Sequence, residues 1–250
     1  MTALPGGTDR MTSPDAAQIY QSATMEALLS GVYDGALTIR ELLNHGDFGL
    51  GTFNGLDGEL LILDSTCHRL RSDGSATQVS LDERVPFAVV TRFQPQITLD
   101  ITEPLDRTAV TALVDDAVGS ANSMAAVHVT GRFETIRTRT VTRQERPYRP
   151  FTEATHDQRE VASTDVTGTL AGFRMPPWMQ GISVAGYHAH FLDADRTRGG
   201  HALGYRLVRG TVDIGVYTEF HLSLPRTAQF EQANLTDDDA DGQIRRTEGA

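Results

Sequence analysis

Apolar and polar positions along this chain alternate with a period near two far more often than near 3.6, so strands are expected to dominate. Strand patterning covers residues 50–53, 59–63, 87–93, 97–101, 164–173, 182–191, 201–208 and 212–222. A long Val/Thr/Arg-rich run, residues 125–141, reads as strand throughout or as two strands broken near Gly131. Between the first two strands, Asn54-Gly55-Leu56-Asp57-Gly58 is a hairpin signal. Helical spacing is confined to three stretches. Residues 20–30 are apolar at helical intervals and stop at Gly31. Thr38-Ile-Arg-Glu41 is a capping box with Leu42 and Leu43 behind it and Gly46 placed as the C′ residue. Residues 106–118 carry Val110, Leu113, Val114 and Ala117 on one face and end at Gly119.

Strands outnumber helices and the helices lie early, which predicts an α+β fold of largely antiparallel or mixed sheets, not a doubly wound one. Two domains are expected: residues 16–150 around an N-terminal mixed sheet, and residues 151–233 around a C-terminal sheet that carries a histidine cluster. Residues 146–159 would connect them. Residues 1–15, rich in Gly, Pro, Ser and Thr, and the acidic tail 234–250 are expected to be solvated ends. No repeat of solenoid period is present.

Composition changes this picture by exclusion. Every one of the 22 basic residues is arginine; there is no lysine. An internal amine is therefore unavailable for a Schiff base or for pyridoxal phosphate, and a Walker-type phosphate loop is ruled out. Acid, base or electrophile must come from His, Asp/Glu, Tyr, Arg, Cys67 or a metal. The net charge of -11 argues against nucleic acid or an anionic membrane as partner. A single cysteine makes no internal disulfide, compatible with a cytoplasmic setting. No window approaches a membrane span or a signal peptide.

Three of the eight histidines fall within fourteen positions: His188 and His190, two apart, and His201 behind Gly199-Gly200. On a strand, His188 and His190 face the same side, and a return strand after the paired glycines brings His201 across to them. Three imidazoles with one coordination position left open suit catalytic zinc, and other divalent ions would accept them. The same spacing also suits an exposed strand whose histidines meet only solvent. Glu59 opens a strand that is otherwise apolar, so it lies either on an exposed edge or in a functional position. Arg139, among Arg137, Arg143 and Arg146, is able to clamp a carboxylate bidentately or simply to alternate with solvent. The glycine-rich run 46–58 lacks the context of a dinucleotide fingerprint and reads as a bulged hairpin. Cys67-His68 has no metal spacing, and His45, His128, His156 and His221 read as ordinary structural or surface residues.

Several segments together resemble the alpha-acetolactate decarboxylase family. They are Gly31-Val-Tyr-Asp-Gly35, the run Glu41-Leu-Leu-Asn-His-Gly-Asp-Phe-Gly-Leu-Gly-Thr-Phe-Asn-Gly-Leu-Asp-Gly-Glu59, Leu70-Arg-Ser-Asp-Gly74, Pro86-Phe-Ala88, Gln144-Glu-Arg-Pro-Tyr148 and Gly186-Tyr-His-Ala-His-Phe191. The resemblance spans residues 20–224. It implies Zn2+ on His188, His190 and His201, an active-site glutamate at Glu59, Thr52 at the adjoining substrate pocket and a substrate-contacting arginine at Arg139. It also implies a C-terminal glutamate, for which Glu248 is the nearest match, and a two-domain, usually dimeric protein with a mixed sheet in each half. The implied reaction converts (S)-2-acetolactate to (R)-acetoin and CO2 on the way to acetoin and 2,3-butanediol, without nucleic acid or membrane partners. Two other readings compete. A cupin-like metal-dependent oxygenase or isomerase also uses Gly-x-His-x-His, and would need Asp193 or Asp195 as its acidic ligand. A binding protein that keeps the fold without turnover would hold metal and form no acetoin.

Overall fold

The computed structural model describes residues 18–235 and 242–244. The expectations for residues 1–15, for most of the acidic tail and for Glu248 fall outside them. Along the chain the elements are β1 (Gln18–Ser22), α1 (Met25–Leu29), β2 (Leu37–Thr38), α2 (Ile39–Leu42), β3 (Phe48–Thr52), β4 (Glu59–Leu63), β5 (Thr66–Leu70), β6 (Ala76–Gln78), β7 (Arg84–Val85) and β8 (Phe87–Thr91). There follow β9 (Ile97–Ile101), β10 (Leu105–Asp106), α3 (Arg107–Val118), β11 (Met124–Thr140), α4 (Phe151–Ala154), β12 (Arg159–Met175), β13 (Gly186–Asp193), β14 (Gly199–Tyr217), β15 (Glu219–Ser223) and α5 (Ala228–Gln232).

The fold is α+β and strand-rich, as the patterning predicts. One sheet has seven strands in the order β15-β1-β8-β3-β4-β5-β6; a second is built on β10-β14-β11-β12-β13 with β9 beside β14; β2 and β7 form a small pair. In the second sheet β13 also pairs with the start of β14, so the hydrogen bonding runs β14–β11–β12–β13 and returns to β14. The seven-stranded sheet is mixed through the parallel pair β1–β15. The second sheet is antiparallel in all its pairings among the described residues, where a mixed sheet was expected. Nor do the sheets part at residue 150: β9, β10 and β11 belong to the second, and β15 crosses back to pair with β1.

Period-two alternation sorts the core into three layers. Leu50, Leu61, Phe87 and Val89 of the first sheet meet Ala126, Ala171, Phe173 and Leu192 of the second in a shared core between the sheets. The opposite face of the first sheet, with Leu60, Ile62 and Val90, packs on Ile39 and Leu42 of α2. The far side of the second sheet, with Val129, Phe133, Leu170 and Leu207, packs on Val110 and Val114 of α3. The unbroken apolar run of β4 follows, because that central strand is covered on both faces. Glu59 shares the parity of Leu61 and Leu63, so it points into the space between the sheets.

Several local expectations are corrected. The helix expected over residues 20–30 begins as strand β1, held between β8 and β15, and only Met25–Leu29 is helical, capped by Thr24. Its partner β15 lies about 200 residues away in sequence, which local periodicity does not register. The Thr38/Glu41 capping box forms as expected, but α2 ends at Leu42 and Gly46 is not its C′ residue. A Cβ on Gly46 would lie 2.5–2.7 Å from the Thr91 backbone, so the glycine serves close approach to β8. Helix α3 forms and ends at Gly119 as predicted, with Asp106 serving as N-cap in place of first helical residue and Gly119 left-handed, yet Leu113 is exposed and only Val110 and Val114 are buried. Residues 125–141 form one strand, and the two segments expected over 201–222 merge into β14 before β15. Strands β5 and β6 lacked a sequence signal strong enough to be expected.

Candidate active site

The site is assembled from facing positions of the two sheets. On β13, His188, His190 and Leu192 share one parity and face the inter-sheet core. His201 lies directly opposite His190 across the β13–β14 pairing, and Arg139 lies directly opposite His201 across β14–β11. Residues directly opposite in a ladder point to the same side of the sheet. Arg139, His201 and His190 therefore form one cross-strand row, with His188 a step along the same face.

Arg139 reaches that face through a bulge. On β11, Met124 and Ala126 face the inter-sheet core while Phe133 faces α3. Between Phe133 and Thr135 the register shifts, leaving Glu134 without a counterpart on β14. Beyond it Ile136 takes the α3 side, and the odd positions Arg139 and Val141 turn inward. Val208 of β14 is skipped beside Glu134, so both strands exchange faces together and the pairing beyond resumes its former register.

The first sheet supplies the carboxylate. Glu59 is paired with Thr52 of β3, so both project toward the histidines. Glu59 is aimed by the turn before it, where Gly55 and Gly58 have φ of 66° and 99° and a Cβ on Gly58 would meet the Leu70 carbonyl at 2.8 Å. The Thr52 hydroxyl donates to the Gly58 carbonyl at 3.0 Å, closing the same turn. Glu59 Oε1 is 3.5 Å from Arg139 Nη1, and its Oε2 is 3.7 Å from His190 Nε2. Arg139 is 2% exposed, His190 0% and His201 1%, so the row is withdrawn from solvent.

The donor set fits a metal ion. The three histidines offer ring nitrogens that all lie within 4.8 Å of one another, and the Nε2 atoms of His188 and His190 are 3.3 Å apart. Tetrahedral ligands about 2.0–2.1 Å from zinc stand roughly 3.3–3.4 Å from each other. His190 Nδ1 lies 2.8 Å from the Leu60 carbonyl, which can only accept, so Nδ1 carries the proton and Nε2 keeps its lone pair. Desolvation, with the charges of Arg139 and Arg107, pushes the His188 imidazole down to about 3, keeping it the neutral donor a metal needs.

A narrow cavity opens beside Glu59, Thr52 and His188, walled by Met25, Leu28, Phe87, Val141 and Phe151. Its apolar wall was not anticipated as a wall, because it is drawn from α1, β8, the residue after β11 and α4, and of these only Phe87 falls in a segment with a family-like pattern. The stretch expected as a plain connection, residues 146–159, thus contributes Phe151. Among the described residues neither acidic candidate of the cupin reading joins the histidines: Asp195 is exposed, and Asp193 accepts from the backbone of Thr197 and Arg198 at 2.7 and 3.0 Å, closing the β13–β14 turn. His128, read as an ordinary structural or surface residue, sits edge-on to Phe48 and Phe93, and His68, read only as lacking metal spacing, is buried on β5.

Fold and site together define a class, an α+β protein in which a row of three histidines and an arginine on one sheet faces a carboxylate on the other. The sequence pattern of alpha-acetolactate decarboxylase matches residues 19–237, and the chain belongs to that family. It is 46% identical over 235 residues to the alpha-acetolactate decarboxylase of Raoultella terrigena, covering 94% of this chain and 90% of that protein. It is 43% identical to the Bacillus subtilis (strain 168) enzyme, over 94% of this chain and 92% of that one. The crystal structure of the latter superposes with a TM-score of 0.92, covering 94% of this chain and 100% of that one. A Staphylococcus aureus protein described as of unknown function and similar to alpha-acetolactate decarboxylase superposes at 0.89 with 31% identity, over 92% and 100% of the two chains.

Proposed function

We propose that this protein decarboxylates (S)-2-acetolactate to (R)-acetoin and CO2, with Zn2+ held by His188, His190 and His201. The observation that carries the reading is the cross-strand row of Arg139, His201 and His190 facing Glu59 from the other sheet. A zinc ion bound to the three imidazoles would supply Lewis acidity toward the ketone and hydroxyl oxygens of the substrate.

The chain's own residues do the rest. Arg139, buried and fixed in direction, binds the substrate carboxylate or an adjoining oxygen with a planar donor fork. Glu59 takes the proton of the substrate hydroxyl. Breaking the bond between C2 and the carboxyl carbon releases CO2 and leaves the electron pair to the neighbouring ketone, as an enediolate. Glu59 then returns its proton to C2, and one proton from solvent completes the product, so a single proton is consumed overall. Thr52 fixes the turn behind Glu59 and adjoins the substrate, while Met25, Leu28, Phe87 and Phe151 surround the methyl groups and keep water from the carbanionic carbon. Glu248 is proposed as a second proton-handling group from family resemblance alone. The protein is further proposed to act as a homodimer in the cytoplasm, in acetoin and 2,3-butanediol formation; among the described residues no helix is long and apolar enough to cross a membrane.

The test is acetoin formation from racemic acetolactate, run anaerobically, before and after exhaustive chelation and again after zinc is restored. Loss on chelation and recovery on zinc is the expected result. Full turnover by metal-free protein would overturn the metal role, and dependence on oxygen would favour an oxygenase.

A further inference from the structure

The ladder between the two histidine-bearing strands is short. Strands β13 and β14 are paired only at Leu192–Gly199, Phe191–Gly200 and His190–His201. Beyond that last pair they separate, β13 continuing along β12 toward Tyr187 and β14 continuing along β11. His188 and its neighbours thus lie where no backbone hydrogen bond joins their strand to the one carrying His201. On the β14 side the separation coincides with a second irregularity: Arg137 faces Gly204 and Thr138 faces Ala202, so Leu203 has no counterpart on β11.

Arg107 spans this gap. It is the first residue of α3, immediately after Asp106 of β10, which is itself paired with Arg206 of β14. Its Nη1 donates to the Leu203 carbonyl at 3.0 Å and its Nη2 to the Tyr187 carbonyl at 3.4 Å. One planar guanidinium therefore ties the residue before His188 to the residue two beyond His201. Its approach is from the α3 side, among Val110, Tyr187, Ala189, Ala202 and Tyr205, opposite to the face on which the imidazoles converge.

We propose that Arg107 is a positioning residue, a guanidinium bridge that stands in for the missing β13–β14 hydrogen bonds and holds His188 at chelating distance from His190 and His201. The inference rests on the three histidines being a metal site, as proposed above. An arginine suits the task because its donors leave in fixed, divergent directions from one plane, whereas a lysine ammonium is a single point that cannot hold both carbonyls at once. Groups that orient metal ligands from behind typically contribute 10–100-fold to metal affinity.

The experiment measures Co2+ and Zn2+ affinity by competition with a chromophoric chelator, and the visible spectrum of the Co2+ form, in wild type, Arg107→Lys, Arg107→Met and His188→Ala. Thermal midpoints of each apoprotein are recorded alongside. The expected result is a 10–100-fold weaker Kd for Arg107→Met, an intermediate loss for Arg107→Lys and an altered Co2+ spectrum in both. Arg107→Lys retains the charge at the start of α3 and keeps the test decisive if Arg107→Met does not fold. Wild-type affinity and spectrum in a folded Arg107 variant, with or without a lower apoprotein midpoint, would show a purely structural residue and overturn the proposal. Wild-type protein that binds Co2+ no better than His188→Ala would instead overturn the metal site, and the bridge with it.

Discussion

Glu59 shows how much one position owes to its neighbours. As a lone carboxylate ahead of Leu60–Leu63 it looked like either an edge residue or a functional one, and the packing of Leu61 and Leu63 into the inter-sheet core decides for the inward direction. Its oxygens lie between the Arg139 guanidinium and the His190 ring, where a carboxylate can accept and return a proton with little contact with bulk water. Glu59→Gln keeps the size and removes proton transfer, so acetoin formation is expected to fall about 10²–10⁴-fold while zinc content, read by elemental analysis, stays unchanged. Normal turnover by a fully metal-loaded variant would remove Glu59 from the mechanism. His188, His190 and His201 were legible as a set because a His-x-His strand and a glycine-marked return are both local signals. Arg107 and Phe151 were not, since an arginine at a helix start and a phenylalanine in a connection carry no mark of the site they reach.

At the level of elements, the bulge at Glu134 governs the site without touching it. Glu134 itself is an exposed residue whose carboxylate accepts from Arg206 at 2.8 Å, a surface pair of small energetic value. Glu134→Ala is therefore expected to change stability by no more than about 0.5 kcal/mol and to leave turnover intact. Inserting one alanine between Ile136 and Arg137 shifts the parity of everything beyond it, turns Arg139 to the α3 side and carries it away from the histidines. The insertion variant is expected to lose acetoin formation by about two orders of magnitude or more, on the order of what a displaced catalytic group costs. Equal activity in the two variants, assayed side by side with circular dichroism as a check on folding, would show that the parity of β11 does not set the direction of Arg139. Alternation in residues 125–141 gave the strand correctly but not this inversion, because the irregularity at Glu134 and Val208 is visible only where β11 meets β14.

Across the whole molecule, burial holds histidines in their neutral form. His188 is pushed down to about 3, chiefly by desolvation, and His128 and His68 are lowered for the same first reason. Unfolded imidazoles take up protons near pH 6.5, so between that value and the lowered folded ones the unfolded chain binds more protons. Stability of the metal-free protein is thus expected to be greatest above about pH 6.5 and to decline as the pH falls below it. Thermal midpoints in chelator-containing buffers from pH 7.5 to 5 measure this. Replacing His128 with Gln, at a site remote from the three-histidine cluster, should flatten part of the slope; a midpoint that rises on acidification would contradict the neutral-histidine account.

The sequence alone determined the preponderance of strands, the capped helix at 107–118, the hairpin that ends at Glu59 and the identity of the three clustered histidines. Each of these is written in neighbouring residues, through period-two alternation, side-chain capping and glycine turns. Only the tertiary structure decided that β1 is a strand, that the two sheets share chain from both halves, and that Arg139, singled out by resemblance alone, points between the sheets. Those outcomes depend on pairing between segments far apart in the chain, as in β1 with β15 and β11 with β14, and on a bulge that exists only as a mismatch between two strands. Direction of a side chain in a sheet is a property of the pair, and a single strand's sequence does not contain its partner.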